Sequence, residues 1–144
     1  MTMRMFFPLA VFVFLLAAPT RASDPAIPGV VSQGLESYVT SGHQNAMEIW
    51  LKGSAMENDI NARIKFIDTL AKVESLYGKV TGWELFRVLP MTPSTCRVYA
   101  VLKFEKGPLW CMFECYKPKD PWVLSSFDFN TKANVILPPN LLEK

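Results

Sequence analysis

The stretch RVYAVLKFEKGPLWCMFECYK, Arg97 to Lys117, decides the fold because it reads as two strands joined by a turn at Lys106-Gly107. Apolar residues alternate with other residues on both sides of the turn, which is the period of strands that have one buried face. A short loop at this turn places Val98 opposite Cys115. We expect the apolar face of this hairpin to be buried.

The two faces of the hairpin differ in composition. The predicted inner face carries only apolar side chains and thiols: Cys96, Val98, Ala100, Leu102, Phe104, Leu109, Cys111, Phe113 and Cys115. A four-residue loop at 117–120 adds side chains of the last strand to this face: Trp122, Leu124, Ser126 and Asp128. The outer face mixes charges with four large side chains, Tyr99, Trp110, Met112 and Tyr116, and is extended by Val123, Phe127 and Phe129. Such a mixture is usual for a protein contact, so we expect a homodimer through the outer face.

Helical spacing of apolar residues predicts three helices before residue 78. The first begins near Gly29 and ends at Gly42, the second ends at Gly53, and the third runs from a cap at Asn58 or Asp59 to Tyr77. Beyond Gly78 the period changes to two and predicts strands at 79–89, 96–105, 109–117 and 122–130. We therefore expect an α+β fold, with the three N-terminal helices packed in the concave face of a curved antiparallel sheet of about four strands.

The N-terminus has the pattern of a secretory signal. An arginine at position 4 precedes an apolar run of about 13 residues, and small residues follow at 19–22. The run is shorter than the roughly 20 residues of a membrane span. We expect residues 1–22 to be cleaved, with 23–144 exported to the periplasm or the medium as a single domain. The alternative is an uncleaved anchor.

Removal of the signal changes the charge. Of the 15 Lys and Arg residues, Arg4 and Arg21 lie in the signal, which leaves 13 against 13 Asp and Glu. A neutral chain without basic clusters lacks the charge distribution of a nucleic-acid-binding protein. We expect no nucleic-acid partner and, after cleavage, no membrane contact.

The three cysteines, Cys96, Cys111 and Cys115, share the predicted inner face. Cys111 and Cys115 are four residues apart on one strand, about 13 Å at about 3.3 Å per residue, which is too far for a disulfide. Cys96 and Cys115 are diagonal neighbours, or directly opposite after a shift of two residues, so they are the one feasible intramolecular pair. The alternative is that all three thiols fill the core as small hydrophobic side chains. No histidine lies nearby, so we expect no metal site.

The order of the elements resembles the nuclear transport factor 2-like superfamily over nearly all of residues 23–144. The resemblance is carried by the Gly42-x-x-x-Ala46 step, the strands around Tyr116 and Trp122, and the segment Ser126-Phe127-Asp128-Phe129. These features are similar to small exported members without an assigned activity. The resemblance implies a cone in which the helices fill a bent sheet. Its members include isomerases, dehydratases and non-catalytic modules, so the fold does not select a function.

Few residues are candidates for a catalytic role. Asp128 is the best candidate carboxylate on the predicted inner face, and Tyr38 could supply a hydroxyl from the first helix. The alternative is that Asp128 is solvated at the end of its strand. His43, the single histidine, follows Gly42 and is expected in an exposed turn.

Four apolar residues could line a ligand pocket: Trp50, Phe113, Trp122 and Leu124. The alternative is that they only pack in the hydrophobic core. We therefore expect a non-catalytic exported module that self-associates and binds a small apolar ligand in the cone, without cofactors. The alternative function is a cofactor-independent lyase or isomerase with Asp128 as general base.

Overall fold

The computed structural model describes residues 25–143, so the predicted signal at 1–22 lies outside the described residues. The elements in chain order are α1 (Gly29–Ser41), α2 (His43–Leu51), α3 (Ile60–Tyr77), β1 (Val80–Thr92), β2 (Thr95–Phe104), β3 (Gly107–Tyr116), β4 (Val123–Asn130), α4 (Ala133–Ile136) and α5 (Pro139–Leu142). The prediction of an α+β fold, with three helices before an antiparallel sheet, is confirmed. Within residues 25–143, no helix combines the length and the apolar composition that a membrane span requires.

Glycines end the first and third helices at the predicted positions. Gly42 and Gly78 adopt φ angles of 89° and 79°, which residues with a side chain rarely adopt. Their backbone N–H groups donate to the carbonyls of Tyr38 and Glu74, and so satisfy two free carbonyls at the helix ends. Asp59 caps α3 by accepting a hydrogen bond from the backbone N–H of Ala62 at 2.9 Å.

The four strands form one antiparallel meander in the order β1-β2-β3-β4. Cys96 lies opposite Cys115, and Phe104 lies opposite Gly107, so the turn is centred one residue earlier than predicted. The predicted pairing of Val98 with Cys115 is therefore wrong by two residues. The side-chain period of a strand is also two, so every side chain of the hairpin stays on its predicted face.

Two backbone hydrogen bonds explain the position of this turn. The N–H of Lys106 donates to the carbonyl of Tyr77 at 2.9 Å, and that of Glu105 donates to the carbonyl of Lys79 at 3.0 Å. Tyr77 at the end of α3 and Lys79, two residues later, therefore hold both turn residues, a tertiary contact that the hairpin sequence does not contain.

In β4 the predicted faces are wrong beyond Leu124. Leu124 pairs with Cys115, but the next pair joins Ser126 to Glu114, which leaves Ser125 as one extra residue. The hydroxyl of Ser125 donates to the carbonyl of Glu114 at 3.2 Å. Such a bulge exchanges the faces of all later residues.

After the bulge, Phe127 and Phe129 lie on the inner face, opposite Phe113 and Cys111. Asp128 lies on the outer face, opposite Met112, and is exposed to solvent. These positions reverse the predicted ones.

The core lies between the inner face of the sheet and the helices. Trp50 of α2 is fully buried, and its ring centre lies 5.3 Å from that of Phe113 and 5.0 Å from that of Phe127. The indole also lies against Gly34 of α1, where a Cβ atom would be 1.9 Å from Nε1 of Trp50. Full burial of each such aromatic side chain contributes about 1.5–3 kcal/mol.

The C-terminal segment covers part of the outer face. Helix α4 contacts β3 and β4, and Leu137, which follows it, is 4% exposed. Tyr99 on the outer face is only 1% exposed, yet neither residue belongs to the core under the helices. We conclude that α4 and Leu137 form a small C-terminal layer against the outer face, which the sequence did not predict.

Candidate functional site: a carboxylate held by two helices

The predicted apolar pocket is part of the core. Trp50, Phe113 and Leu124 are fully buried, and the rings of Trp50 and Phe113 pack against each other instead of lining a space. Of the four residues, Trp122 lines an open groove of about 650 Å³. The ammonium of Lys117 lies 5.1 Å from the ring centre of Trp122. The four residues therefore do not form one pocket.

The predicted catalytic pair is separated by the sheet. Tyr38 of α1 is fully buried on the helical side, whereas Asp128 is exposed on the outer face. Because the bulge at Ser125 reverses the face of Asp128, the expectation that these two residues share a cavity is wrong.

The predicted interface is only partly accessible. Tyr99 is nearly fully buried, so it has almost no surface left for a partner, whereas Tyr116 is 43% exposed and Trp110 and Met112 are half-buried. Trp110 makes an edge-to-face contact with Phe86, at 5.9 Å between ring centres.

Charges surround the accessible side chains of the outer face. Arg97 pairs with Glu114, and the ammonium of Lys103 lies 2.7 Å from Oε1 of Glu84. These four side chains carry no net charge.

A cluster that the sequence did not predict joins the first three helices. Oε1 of Glu74 in α3 accepts a hydrogen bond from the hydroxyl of Tyr38 in α1 at 2.8 Å, and Nδ1 of His43 in α2 lies 2.9 Å from the same oxygen. A carboxylate only accepts, so Nδ1 of His43 carries the proton. His43 is therefore held in a tertiary contact, which corrects the expectation of an exposed turn residue.

The two glycines position the members of this cluster. Gly42 ends α1 and lets α2 begin at the next residue, which brings His43 beside Tyr38 with ring centres 6.2 Å apart. Gly78 ends α3 one turn after Glu74. The local backbone conformation thus places all three side chains at the same end of the helical layer.

The electrostatics of the cluster favour a neutral tyrosine. Burial raises the pKa of Tyr38, and the hydrogen bond to Glu74 and the negative charge of that carboxylate raise it further. Tyr38 therefore remains a hydrogen-bond donor to Glu74 at neutral pH.

Glu74 faces an open cleft of about 450 Å³. The lining residues come from the ends of α1 and α3 and the start of β1, together with the turn: Tyr38, Val39, Gly42, Glu74, Gly78, Lys79, Val80 and Glu105. Oε2 of Glu105 accepts a hydrogen bond from the backbone N–H of Lys79 at 3.2 Å. A Cβ atom at Gly78 would lie 2.2 Å from the same oxygen, so the glycine also makes room for Glu105.

Among residues 25–143, no three His, Cys, Asp or Glu side chains lie close enough to hold a metal ion. The charged side chains that line the cleft are Glu74, Lys79 and Glu105. No family model, curated protein or solved structure matches the chain.

Proposed function

We propose that the protein is a binding module and that its ligand is a small molecule with a protonated amine, held in the cleft beside Glu74. The proposal rests on the hydrogen bonding of the two carboxylate oxygens of Glu74. Two side chains from other helices bind Oε1, while Oε2 makes no hydrogen bond within residues 25–143. Glu74 is 33% exposed and forms part of the cleft wall, so the open oxygen is accessible.

Fixing the carboxylate before binding favours affinity. A free glutamate loses rotamer freedom when it binds a ligand, whereas Glu74 is already held by Tyr38 and His43. A hydrogen bond to a charged group contributes about 1.5–3 kcal/mol, more than one between neutral groups.

The charge of the cleft favours a cation. Glu74 and Glu105 contribute two carboxylates against the one ammonium of Lys79. The carbonyl end of the 18-residue helix α3 also points to this region, and a helix C-terminus attracts positive charge within its last turn. Val39 and Val80 supply apolar wall for the carbon chain of the ligand. The cleft volume lies within the range of about 300–1,000 Å³ typical of small-molecule sites.

The probes for this proposal are ethylamine, butylamine and hexylamine, with the alcohols of equal length as neutral counterparts. We expect the amines to shift the backbone amide signals of Gly42, Gly78 and Lys79 in NMR titrations, and the alcohols to bind at least tenfold more weakly. Glu74→Gln keeps the acceptor oxygen for Tyr38 and His43 but removes the charge, so amine affinity falls about tenfold or more.

The matched control is Glu84→Gln, which removes an exposed carboxylate from the outer face. This variant should bind the amines as the wild type does. Equal affinity for amines and alcohols, an equal loss in both variants, or no shift at the cleft would contradict the proposal.

A second candidate function is self-association through the accessible part of the outer face, and it has an observation of its own. Tyr116, Trp110 and Met112 retain exposed apolar surface beside charge pairs with no net charge, so a second copy of the face would not be repelled. We expect a solution mass of twice the chain mass by light scattering, and the single-chain mass for Trp110→Glu. A wild-type protein of single-chain mass would reject this candidate.

We also propose that the protein is exported and that it belongs to the nuclear transport factor 2-like superfamily. Export depends on residues 1–22, and membership of the nuclear transport factor 2-like superfamily depends on the order of the elements. The lyase or isomerase alternative lacks its general base, because Asp128 is exposed on the outer face.

A further inference from the structure

Cys96 and Cys115 occupy directly opposed positions in β2 and β3. Both are free thiols in the structure, and both are buried on the inner face. The shift of the turn by one residue turns the diagonal arrangement predicted for this pair into a direct one.

The hydrogen-bond pattern defines the spacing of the pair. The N–H of Lys117 donates to the carbonyl of Ser94 at 2.9 Å, which makes these two opposed residues a hydrogen-bonded pair. Hydrogen-bonded and non-bonded pairs alternate along an antiparallel ladder, so Cys96 and Cys115, two positions further, form another bonded pair. The Cα atoms of such a pair are about 5.5 Å apart, which is within the range of about 4.4–6.8 Å found across disulfides. The Cβ atoms, up to about 5.5 Å apart, must approach to about 4.5 Å or less for the bond to form.

Cys111 lies outside the pair. It is opposite Ala100, and it is four residues along the strand from Cys115, about 13 Å at about 3.3 Å per residue. No bridge spans that distance. The chain therefore contains an internal control, a third buried thiol on the same face without a partner at bonding distance.

We propose that Cys96 and Cys115 are a disulfide-forming pair, oxidised by exchange with an external disulfide such as oxidised glutathione while the chain folds. The thiolate of one cysteine attacks a sulfur of the external disulfide, which forms a mixed disulfide and releases one thiolate. The thiolate of the other cysteine then displaces the second one. The protein pair loses two electrons, the external disulfide gains them and becomes two thiols, and the two protein thiol protons pass to the released thiolates.

The timing of the exchange follows from burial. Burial raises the pKa of Cys96 and Cys115, and the neighbouring thiol raises that of Cys115 further, so few thiolates are present once the hairpin is packed. The attacking species is the thiolate, and the folded thiols are also shielded from the oxidant. Exchange is therefore fast in the open hairpin and slow in the folded, reduced protein.

The test is to refold the reduced, denatured protein with oxidised and reduced glutathione, and then to label it with N-ethylmaleimide in denaturant. We expect one label per chain, on Cys111, and a proteolytic fragment in which Cys96 is joined to Cys115. The same protein reduced before labelling takes three labels, because it has three free cysteines. When the folded, reduced protein meets the same oxidant, it should form the bond at least tenfold more slowly.

Two variants complete the test. Cys111→Ser should take no label after oxidative refolding, and Cys96→Ser should take two after brief reduction of any mixed disulfide with glutathione. Three labels on the refolded wild type, or a cross-link that contains Cys111, would overturn the proposal. These wild-type results stand even if a variant fails to fold, which circular dichroism would reveal.

Discussion

The hairpin β2–β3 and the pair β3–β4 show how two errors of register differ in consequence. In the hairpin, the observed pairing differs from the predicted one by two residues, and every side chain stays on its face. In the second pair, one extra residue at Ser125 exchanges the faces of all later side chains. The parity of a register error, not its size, decides whether the core is correctly identified.

The difference has a local cause in the sequence Leu124-Ser-Ser-Phe127. Two apolar residues three positions apart cannot share one face of a regular strand, because the side-chain period is two. The structure resolves this conflict with the bulge, and the hydroxyl of Ser125 binds the carbonyl of Glu114 there. Strict alternation instead places Asp128 in the core and two phenylalanines outside, an outcome that hydrophobicity alone disfavours.

Neighbouring substitutions in β4 give the largest expected contrast. Phe127→Ala removes a buried ring that contacts Trp50 and Phe113, and should lower the free energy of unfolding by about 3–5 kcal/mol. Asp128→Ala alters an exposed side chain on the outer face and should change it by less than about 0.5 kcal/mol. Urea unfolding followed by tryptophan fluorescence measures both. If Asp128→Ala lowers the free energy of unfolding more than Phe127→Ala does, β4 alternates strictly and Asp128, not Phe127, faces the core.

A pair of glycine substitutions in α1 tests how tightly the inner face is packed. In Gly34→Ala the new methyl group would meet Nε1 and Cδ1 of Trp50 at 1.9 Å and 2.3 Å. We expect a loss of about 2–3 kcal/mol from overpacking, even though alanine improves helix propensity by up to about 1 kcal/mol. In Gly29→Ala the nearest atom is the flexible Gln33 Nε2 at 3.6 Å, so the change should stay within about 0.5 kcal/mol. Equal effects on the urea midpoint would mean that the indole moves aside easily.

Local signals account for the parts of the fold that were predicted correctly. Gly42, Gly78 and Asp59 act on backbone groups within a few residues of themselves, so the ends of the helices could be read from sequence. The inner face of the hairpin follows from alternation in the same way.

No local sequence pattern predicts the cluster of Glu74, Tyr38 and His43. Glu74 is separated from Tyr38 by 36 residues and from His43 by 31, and their contact depends on how three helices pack. A histidine at the first position after a helix-ending glycine was the one available hint. The C-terminal layer was missed for a related reason, because α4 and α5 have only four residues each and show no helical period.

The covering of the outer face can be tested at Leu137. Leu137→Ala should cost about 2 kcal/mol, because this buried leucine belongs to the layer that shields the outer face. Val135→Ala, two residues earlier on a side chain that is 59% exposed, should cost less than about 0.5 kcal/mol. Thermal unfolding of both variants provides the measurement. If the two losses are equal, the C-terminal segment does not bury Leu137, and Tyr99 becomes available for contact after all.

The smallest expected effect depends on pH and concerns Tyr38, buried beneath the inner face. Burial and Glu74 raise the pKa of Tyr38 above its usual value of about 10, so the folded protein holds the hydroxyl proton more tightly than the unfolded chain. The resulting contribution of Tyr38 to the free energy of unfolding is fully present below pH 10. It is lost as the pH rises above 10, at up to about 1.4 kcal/mol per pH unit. Tyr38→Phe lacks the titrating group but also lacks the bond to Glu74, so it should be less stable than the wild type by about 1 kcal/mol at pH 8. Urea unfolding at pH 8, 9, 10 and 11 should show this difference shrinking above pH 10. The cysteines and lysines are common to both proteins, so they affect both curves alike. Two parallel curves over this range would mean that the pKa of Tyr38 is the same in the folded and unfolded protein, and that the Glu74 cluster is looser than its hydrogen bonds indicate.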